Sequence, residues 1–158
     1  PTKENLIHSI MHFVLGQING VFKKVMTEEP NPALQYIKIM EKICKFSGRT
    51  PVHKLVELKS LYPEIWKEVE SFRLSHQEDF YIILKNAQDQ GLAHSDINMK
   101  SAAIVYINIV NSTFQPEFFL KNDLPIRDTI HGFVQIVARG IFTKKGMKAV
   151  NQYYKDKI

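Results

Sequence analysis

The chain has 158 residues, within the size of one domain, and 44% hydrophobic with 23% charged residues, enough apolar material for one sizeable core. Seven Gly and seven Pro exclude a fibrous or low-complexity chain, the longest apolar run (Ala102 to Ile107) excludes a membrane-spanning helix, and a single cysteine, Cys44, excludes an internal disulfide. The net charge of +5 is concentrated at one end: Lys144, Lys145, Lys148, Lys155 and Lys157 against Asp156 give +4 from Gly140 onward. No aromatic or glycine pattern turns that end into a nucleic-acid module, and it reads as a solvated helix end.

Nearly every segment has helical periodicity. The first helix is predicted from Lys3 to Met26, with Thr2 as cap and Glu4 in its first turn. Its apolar stripe is Ile7, Met11, Val14, Ile18, Val21 and Val25. Asn31-Pro32 starts a second helix running to about Phe46, burying Leu34, Ile37, Met40, Ile43 and Cys44; Ser47-Gly48 ends it. A short helix follows Pro51. Tyr62-Pro63 starts a long one reaching about Gln90, where Gly91 stops it; its stripe is Ile65, Val69, Phe72, His76, Phe80, Ile83 and Ala87. A loop spans Gly91 to Asn98. The segment Met99 to Thr113 is apolar nearly all round, as in a helix covered on more than one side. Pro116 interrupts, with one extra turn over Glu117 to Leu120. Further helices run from Leu124-Pro125 to Phe142 and from Lys144 to Lys157. The pattern predicts a single all-α domain over 1–158 with six to eight helices.

The sequence lacks the motifs of common enzymes: there is no Gly-rich phosphate loop, no G-x-S-x-G, no C-x-x-C and no H-E-x-x-H. Nothing in it implies a cofactor. His8 and His12 are four apart and could face one ion, but no third ligand accompanies them at a sensible spacing, so no metal is assigned. Asp128 and His131 likewise stand alone. Cys44 lies on the apolar face of its helix, where a thiol is inert. His76 sits inside the long apolar stripe. It is either a core histidine bonded to a neighbour or a polar group in an apolar cavity, the makeup of a small-molecule pocket. Tyr36, Met40, Trp66 and Tyr106 share the core-facing sides of their helices, and His12 and Asn19 offer polar atoms from the first helix.

Gly132 and Gly140 lie eight apart on one helix face with Ile136 between them. A mid-helix Gly costs about 1 kcal/mol relative to Ala, so close approach of another helix is the reason to keep it. With the all-round apolar 99–113 helix, this predicts a four-helix dimer interface, two helices from each chain, using Ile104, Ile107, Gly132, Phe133, Ile136 and Gly140.

Four stretches, in this order, resemble the TetR (tetracycline repressor) family of bacterial transcription regulators. They are PTKENLIHSI, with Pro1, Thr2, Lys3, Glu4 and Leu6; YPEIWKEVESFR from Tyr62 to Arg73; AQDQGLAHSDINMKSAA from Ala87 to Ala103; and VARGIF from Val137 to Phe142. The resemblance implies a TetR-like C-terminal helical bundle that binds an effector and dimerises. It also implies a helix-turn-helix domain of about 45 residues preceding residue 1. Operator DNA is then contacted only through that preceding domain, and the protein is a cytoplasmic regulator, a repressor in the commonest form, with no enzymatic activity and no membrane association. The implied mechanism is allosteric: a small apolar or aromatic effector enters a cavity between the helices starting near Lys3, Pro32, Pro63 and Met99. The expected lining is His12, Tyr36, Met40, Trp66, Phe72, His76, Phe80 and Tyr106. The rival reading is a helical metal-binding or enzymatic bundle using His8, His12 and His76.

Overall fold

A computed structural model describes residues 2–158; Pro1 and its part in the resemblance lie outside the described residues. The helices, in chain order, are α1 (Lys3–Glu28), α2 (Pro32–Ser47), α3 (Val52–Leu61), α4 (Pro63–Ser75), α5 (Gln77–Asp89), α6 (Met99–Asn108), α7 (Pro116–Lys121), α8 (Ile126–Ile141) and α9 (Lys144–Lys155). Helices α4 and α5 are two arms of one long helix broken at His76, so the described residues form eight helices in the predicted all-α arrangement.

Local chemistry fixes most boundaries. The Thr2 hydroxyl accepts the Asn5 N–H at 3.1 Å, and Asn31 Oδ1 accepts the Ala33 N–H at 2.9 Å ahead of Pro32. Asn98 caps α6 by accepting the Ser101 N–H, and Thr143 caps α9 by accepting the Gly146 N–H. Gly91, at φ +71°, ends α5: its N–H bonds to the Gln88 carbonyl and the Leu92 N–H to the Ala87 carbonyl, the paired bonds of a Schellman stop. The 91–95 loop is then stitched to the α8–α9 joint, where His94 N–H meets the Ile141 carbonyl and Thr143 N–H meets the Leu92 carbonyl, both at 2.9 Å.

The long helix from Pro63 departs from the sequence expectation of an unbroken run. His76 has φ −88° and ψ 4°, outside helical geometry, and its N–H reaches back to the Arg73 carbonyl. A second helix start follows at once. Glu78 and Asp79 place negative charge in the first turn of α5, and the Asp79 carboxylate accepts from His76 Nδ1 at 2.7 Å. The second departure is in the 99–113 segment, whose last turn widens into a π-helix over Ile109–Thr113.

The core is built around α2, which packs against α1, α5, α8 and α9. Tyr36, Ile37, Ile39, Met40 and Cys44 from α2 meet Phe80, Ile83, Leu84 and Ala87 from α5, Tyr106 and Ile107 from α6, and Val134 and Ala138 from α8. Each of the large apolar side chains among them stabilises the fold by roughly 1.5–3 kcal/mol when taken out of water. In contrast, the predicted stripe of α1 is only half-buried; Phe22 is the one fully buried side chain of that helix. From Ile7 to Ile18 the stripe lies over a cavity, whereas Val21 and Val25 pack against the core.

Candidate functional site: an apolar cavity with a basic pole

The cavity encloses about 530 Å³ beneath α1, within the range of small-molecule pockets. Ile7, Met11, Val14, Ile18 and Phe22 of α1 form its roof. Met40 and Ile43 come from α2, Leu55 and Leu58 from α3, Trp66, Val69 and Phe72 from α4, Phe80 from α5, and Tyr106 and Val110 from the α6 region. Exposed side chains at Lys3, Ile10, Lys54, Glu57 and Leu61 also border it, which places a mouth between α1 and α3.

The break at His76 serves this geometry. It turns Phe72, His76 and Phe80, which a straight helix would stack along one line, around the cavity wall. The His76 ring lies flat against Phe22, with centroids 3.8 Å apart, and edge-on to Phe72 at 4.7 Å. Its Nδ1 donates to the Asp79 carboxylate, which accepts only, and that fixes the proton on Nδ1. Nε2 is buried and has no partner among the described residues, although the side chain lines the cavity. A buried polar atom left unpaired carries a penalty that an incoming donor or a proton would remove.

Arg73 is the second polar group of the wall. Its guanidinium reaches only the Phe114 carbonyl, at a long 3.4 Å, and lies over the Trp66 ring at 5.6 Å. Burial lowers its pKa from the ordinary value, partly offset by Glu70. An Arg stays charged regardless, so this is an under-partnered cation in an apolar wall. Tyr106 is the third. Tyr36 donates to its hydroxyl at 3.4 Å, leaving the Tyr106 proton free for another acceptor, and burial raises its pKa well above the usual tyrosine value. Acids act on two of these groups from outside the cavity, Glu70 on Arg73 and Asp79 on His76, while Glu57, at the mouth, is paired with Lys54 at 3.0 Å.

Trp66 lines the cavity while its N–H donates to Gln115 Oε1 at 2.9 Å. Gln115 also accepts from Lys59 and donates to Glu70, so one side chain anchors α3, α4 and the π-helical turn behind the wall.

Six of the eight expected lining residues, Met40, Trp66, Phe72, His76, Phe80 and Tyr106, meet here. Two do not. His12 faces outward, because it lies off the α1 stripe, and pairs with Glu68 at 2.8 Å in a separate surface groove that also takes in Asn19. Tyr36 stands behind the wall, fully buried between Tyr106 and Phe142, with its hydroxyl also near the Val134 carbonyl. His76 is not in the company of His8 and His12, so the three-histidine set of the rival reading does not form. Arg73 is absent from the expected lining, yet it stands seven residues after Trp66 and four after Val69, on the same helical face.

The expected dimer residues divide as well. Ile104, Ile136 and Gly140 look outward, Ile136 at 73% exposure, Val105 at 56% joins them, and Gly132 is half-buried at the edge of that face. Ile107 is 2% exposed and belongs to the core, while Phe133 is half-buried and stacks on Tyr106. The outer face of the apolar 99–108 helix is therefore uncovered by its own chain. A Cβ added at Gly132 or Gly140 would meet nothing within 4 Å.

No family model and no curated protein matches the chain. Among solved structures it is similar to PfmR, a TetR family transcriptional regulator from Thermus thermophilus, at 20% identity and a TM-score of 0.57. The match covers 88% of this chain and 76% of that one. The fold is TetR-like. The all-α architecture expected from the sequence thus has a solved counterpart. No helix among the described residues is long and apolar enough to cross a membrane.

Proposed function

We propose that this chain is the effector-sensing and dimerisation part of a one-component transcriptional regulator with a cytoplasmic site of action, and that its effector is an apolar molecule ending in a carboxylate or similar anion. The observation that carries the reading is the cavity of about 530 Å³, with Arg73 and the unpartnered Nε2 of His76 set in otherwise apolar walls. An anionic head would give the Arg73 guanidinium the direct ion-pair partner it lacks, and Tyr106 offers a further donor. The apolar tail would lie along Met11, Val14, Ile18 and Val110. The TetR-like fold supports a regulator over an enzyme.

The transmitting element is α1. Its cavity face runs from Ile7 to Phe22, so a DNA-binding domain joined to it would move with it. An effector filling the space beneath it favours one position of α1, and in a dimer that position sets the spacing of the two DNA-reading heads. A coupling of about 1–3 kcal/mol between effector and DNA is sufficient for control. The dimer is assigned to the outward face of α6 and α8, where Ile104, Val105 and Ile136 are exposed beside Gly132 and Gly140.

Trp66 is the sole tryptophan and lines the cavity, so it reports occupancy directly. Titration with dodecanoate, dodecanol and dodecylammonium should give saturable changes in Trp66 emission in that order of affinity. Arg73→Met should weaken dodecanoate by roughly 10–100-fold, the worth of a hydrogen bond to a charged group, and leave dodecanol unchanged. Equal affinity for all three heads, or no response of dodecanoate to Arg73→Met, overturns the anionic-effector reading.

A further inference from the structure

We infer that His8, His12 and Glu68 form a binding site for a late first-row divalent metal ion on the outer face of the α1–α4 pair. The sequence offers two histidines one turn apart on α1 and hides the third ligand, which comes from α4, 56 residues beyond His12. In the structure His8 Nε2 lies 3.0 Å from Glu68 Oε1 and His12 Nε2 lies 2.8 Å from Glu68 Oε2. The two imidazole rings sit 4.3 Å apart. The three ligand atoms fall within 4.8 Å of one another. Among the described residues no other group of three His, Cys, Asp or Glu side chains does so.

The chemistry of this set is specific. Two imidazoles and one carboxylate are the protein ligands of open zinc sites and of other late divalent ions, with the remaining positions left to water. Bonds of about 2.0–2.1 Å in a tetrahedron place neighbouring ligand atoms about 3.4 Å apart. The observed separations need only small rotations of three partly exposed side chains to reach that. The other charged groups in the groove, Glu64 and Lys67, are paired with each other at 2.8 Å, so the lysine is neutralised beside the site.

Position gives the site a purpose. Leu15 and Phe72 line both this groove and the effector cavity, so one wall separates the two. An ion held by α1 on one side and α4 on the other would clamp the roof of the cavity to its floor. This consequence rests on the effector reading; metal binding itself does not, and the two are tested separately.

The test uses the chelator-treated chain titrated with ZnCl2 and, separately, with CoCl2. The expected results are one equivalent of Zn2+ per chain and visible Co2+ absorption of a low-symmetry four- or five-coordinate site. Each of His12→Ala and Glu68→Gln should weaken binding by more than the roughly 10–100-fold that loss of an outer-shell partner causes. His131→Ala should bind as the parent does. All three ligands are partly exposed, and Glu68→Gln keeps an amide that still hydrogen-bonds the histidines, so folded variants are expected and are checked by circular dichroism. Less than one equivalent of bound ion, or binding unchanged in both ligand variants, overturns the site and leaves the cluster as plain hydrogen bonds. Dodecanoate binding with no metal binding refutes this inference alone. Metal binding with no dodecanoate binding refutes the effector reading alone.

Discussion

Gly132 gives a test in which the sign of the effect separates a lone chain from a dimer. It lies in the interior of α8, where replacing Gly by Ala stabilises an isolated helix by about 1 kcal/mol. Its added Cβ would meet no atom of its own chain within 4 Å, so nothing internal opposes that gain. If the α6–α8 face is free, Gly132→Ala raises stability by about that amount at every protein concentration. If a second copy packs there, each chain inserts a methyl into a close helix crossing, and overpacking typically costs about 1–3 kcal/mol. We expect the second outcome: a dimer dissociation constant raised about tenfold or more, each tenfold being about 1.4 kcal/mol. Gly20→Ala is the control, since it is also mid-helix and open but lies on α1, away from this face. It should stabilise without touching association. Sedimentation equilibrium and urea unfolding over a wide concentration range read both quantities. A Gly132→Ala protein that is stabilised as much as Gly20→Ala, with unchanged association, refutes the assignment of this face.

Two other substitutions probe the frame. Gly146→Ala should behave oppositely to Gly20→Ala, because its Cβ would stand 2.2 Å from the Leu92 carbonyl oxygen, a backbone atom that also accepts the Thr143 N–H. We expect a loss of at least about 2 kcal/mol in urea unfolding, and a neutral result would show that α9 is not held against the 91–95 loop. Cys44 tests burial through pH. Burial raises its thiol from 9.0 to about 11, so folding favours the protonated form. That contribution is fully present below about pH 9 and is lost as pH rises through 11, amounting to at most about 3 kcal/mol at two pH units. Parent protein should therefore lose stability relative to Cys44→Ala over that window, and thiol reagents at about pH 8 should label Cys44 only on unfolding. Parallel pH profiles of the two proteins would contradict the buried thiol.

The helices were legible because their stops are chemical: Asn31-Pro32, Ser47-Gly48 and Gly91 each do locally what a boundary needs. The break at His76 was not, because Phe72, His76 and Phe80 keep a four-residue spacing straight through it. The acidic Glu78-Asp79 pair, a first-turn signature, was the available clue. Cavity walls were legible as polar-tipped aromatics on core-facing stripes, but whether a stripe meets packed atoms or empty space depends on helix separation, which periodicity does not encode. Tyr36 shows the difference: it shares the pattern of Tyr106 yet stands one layer behind the wall. Arg73 was readable from its spacing to Trp66 and Val69, although a charged residue is not what an apolar stripe brings to notice. Glu68 was beyond reach, because pairing it with His8 and His12 requires knowing how α4 crosses α1. Ile107 and Phe133 were assigned outward because a helix apolar all round hides which face its own chain already uses.

If an apolar anion lies beneath α1 with its head at Arg73, a crystal structure of the chain grown with saturating dodecanoate shows it most directly. We predict electron density for one ligand per chain inside the cavity, with its carboxylate within hydrogen-bond reach of the Arg73 guanidinium. A ligand found only on the exterior, or lying in the cavity with its carboxylate at the mouth and Arg73 still bonded only to the Phe114 carbonyl, would contradict the anionic-effector mechanism.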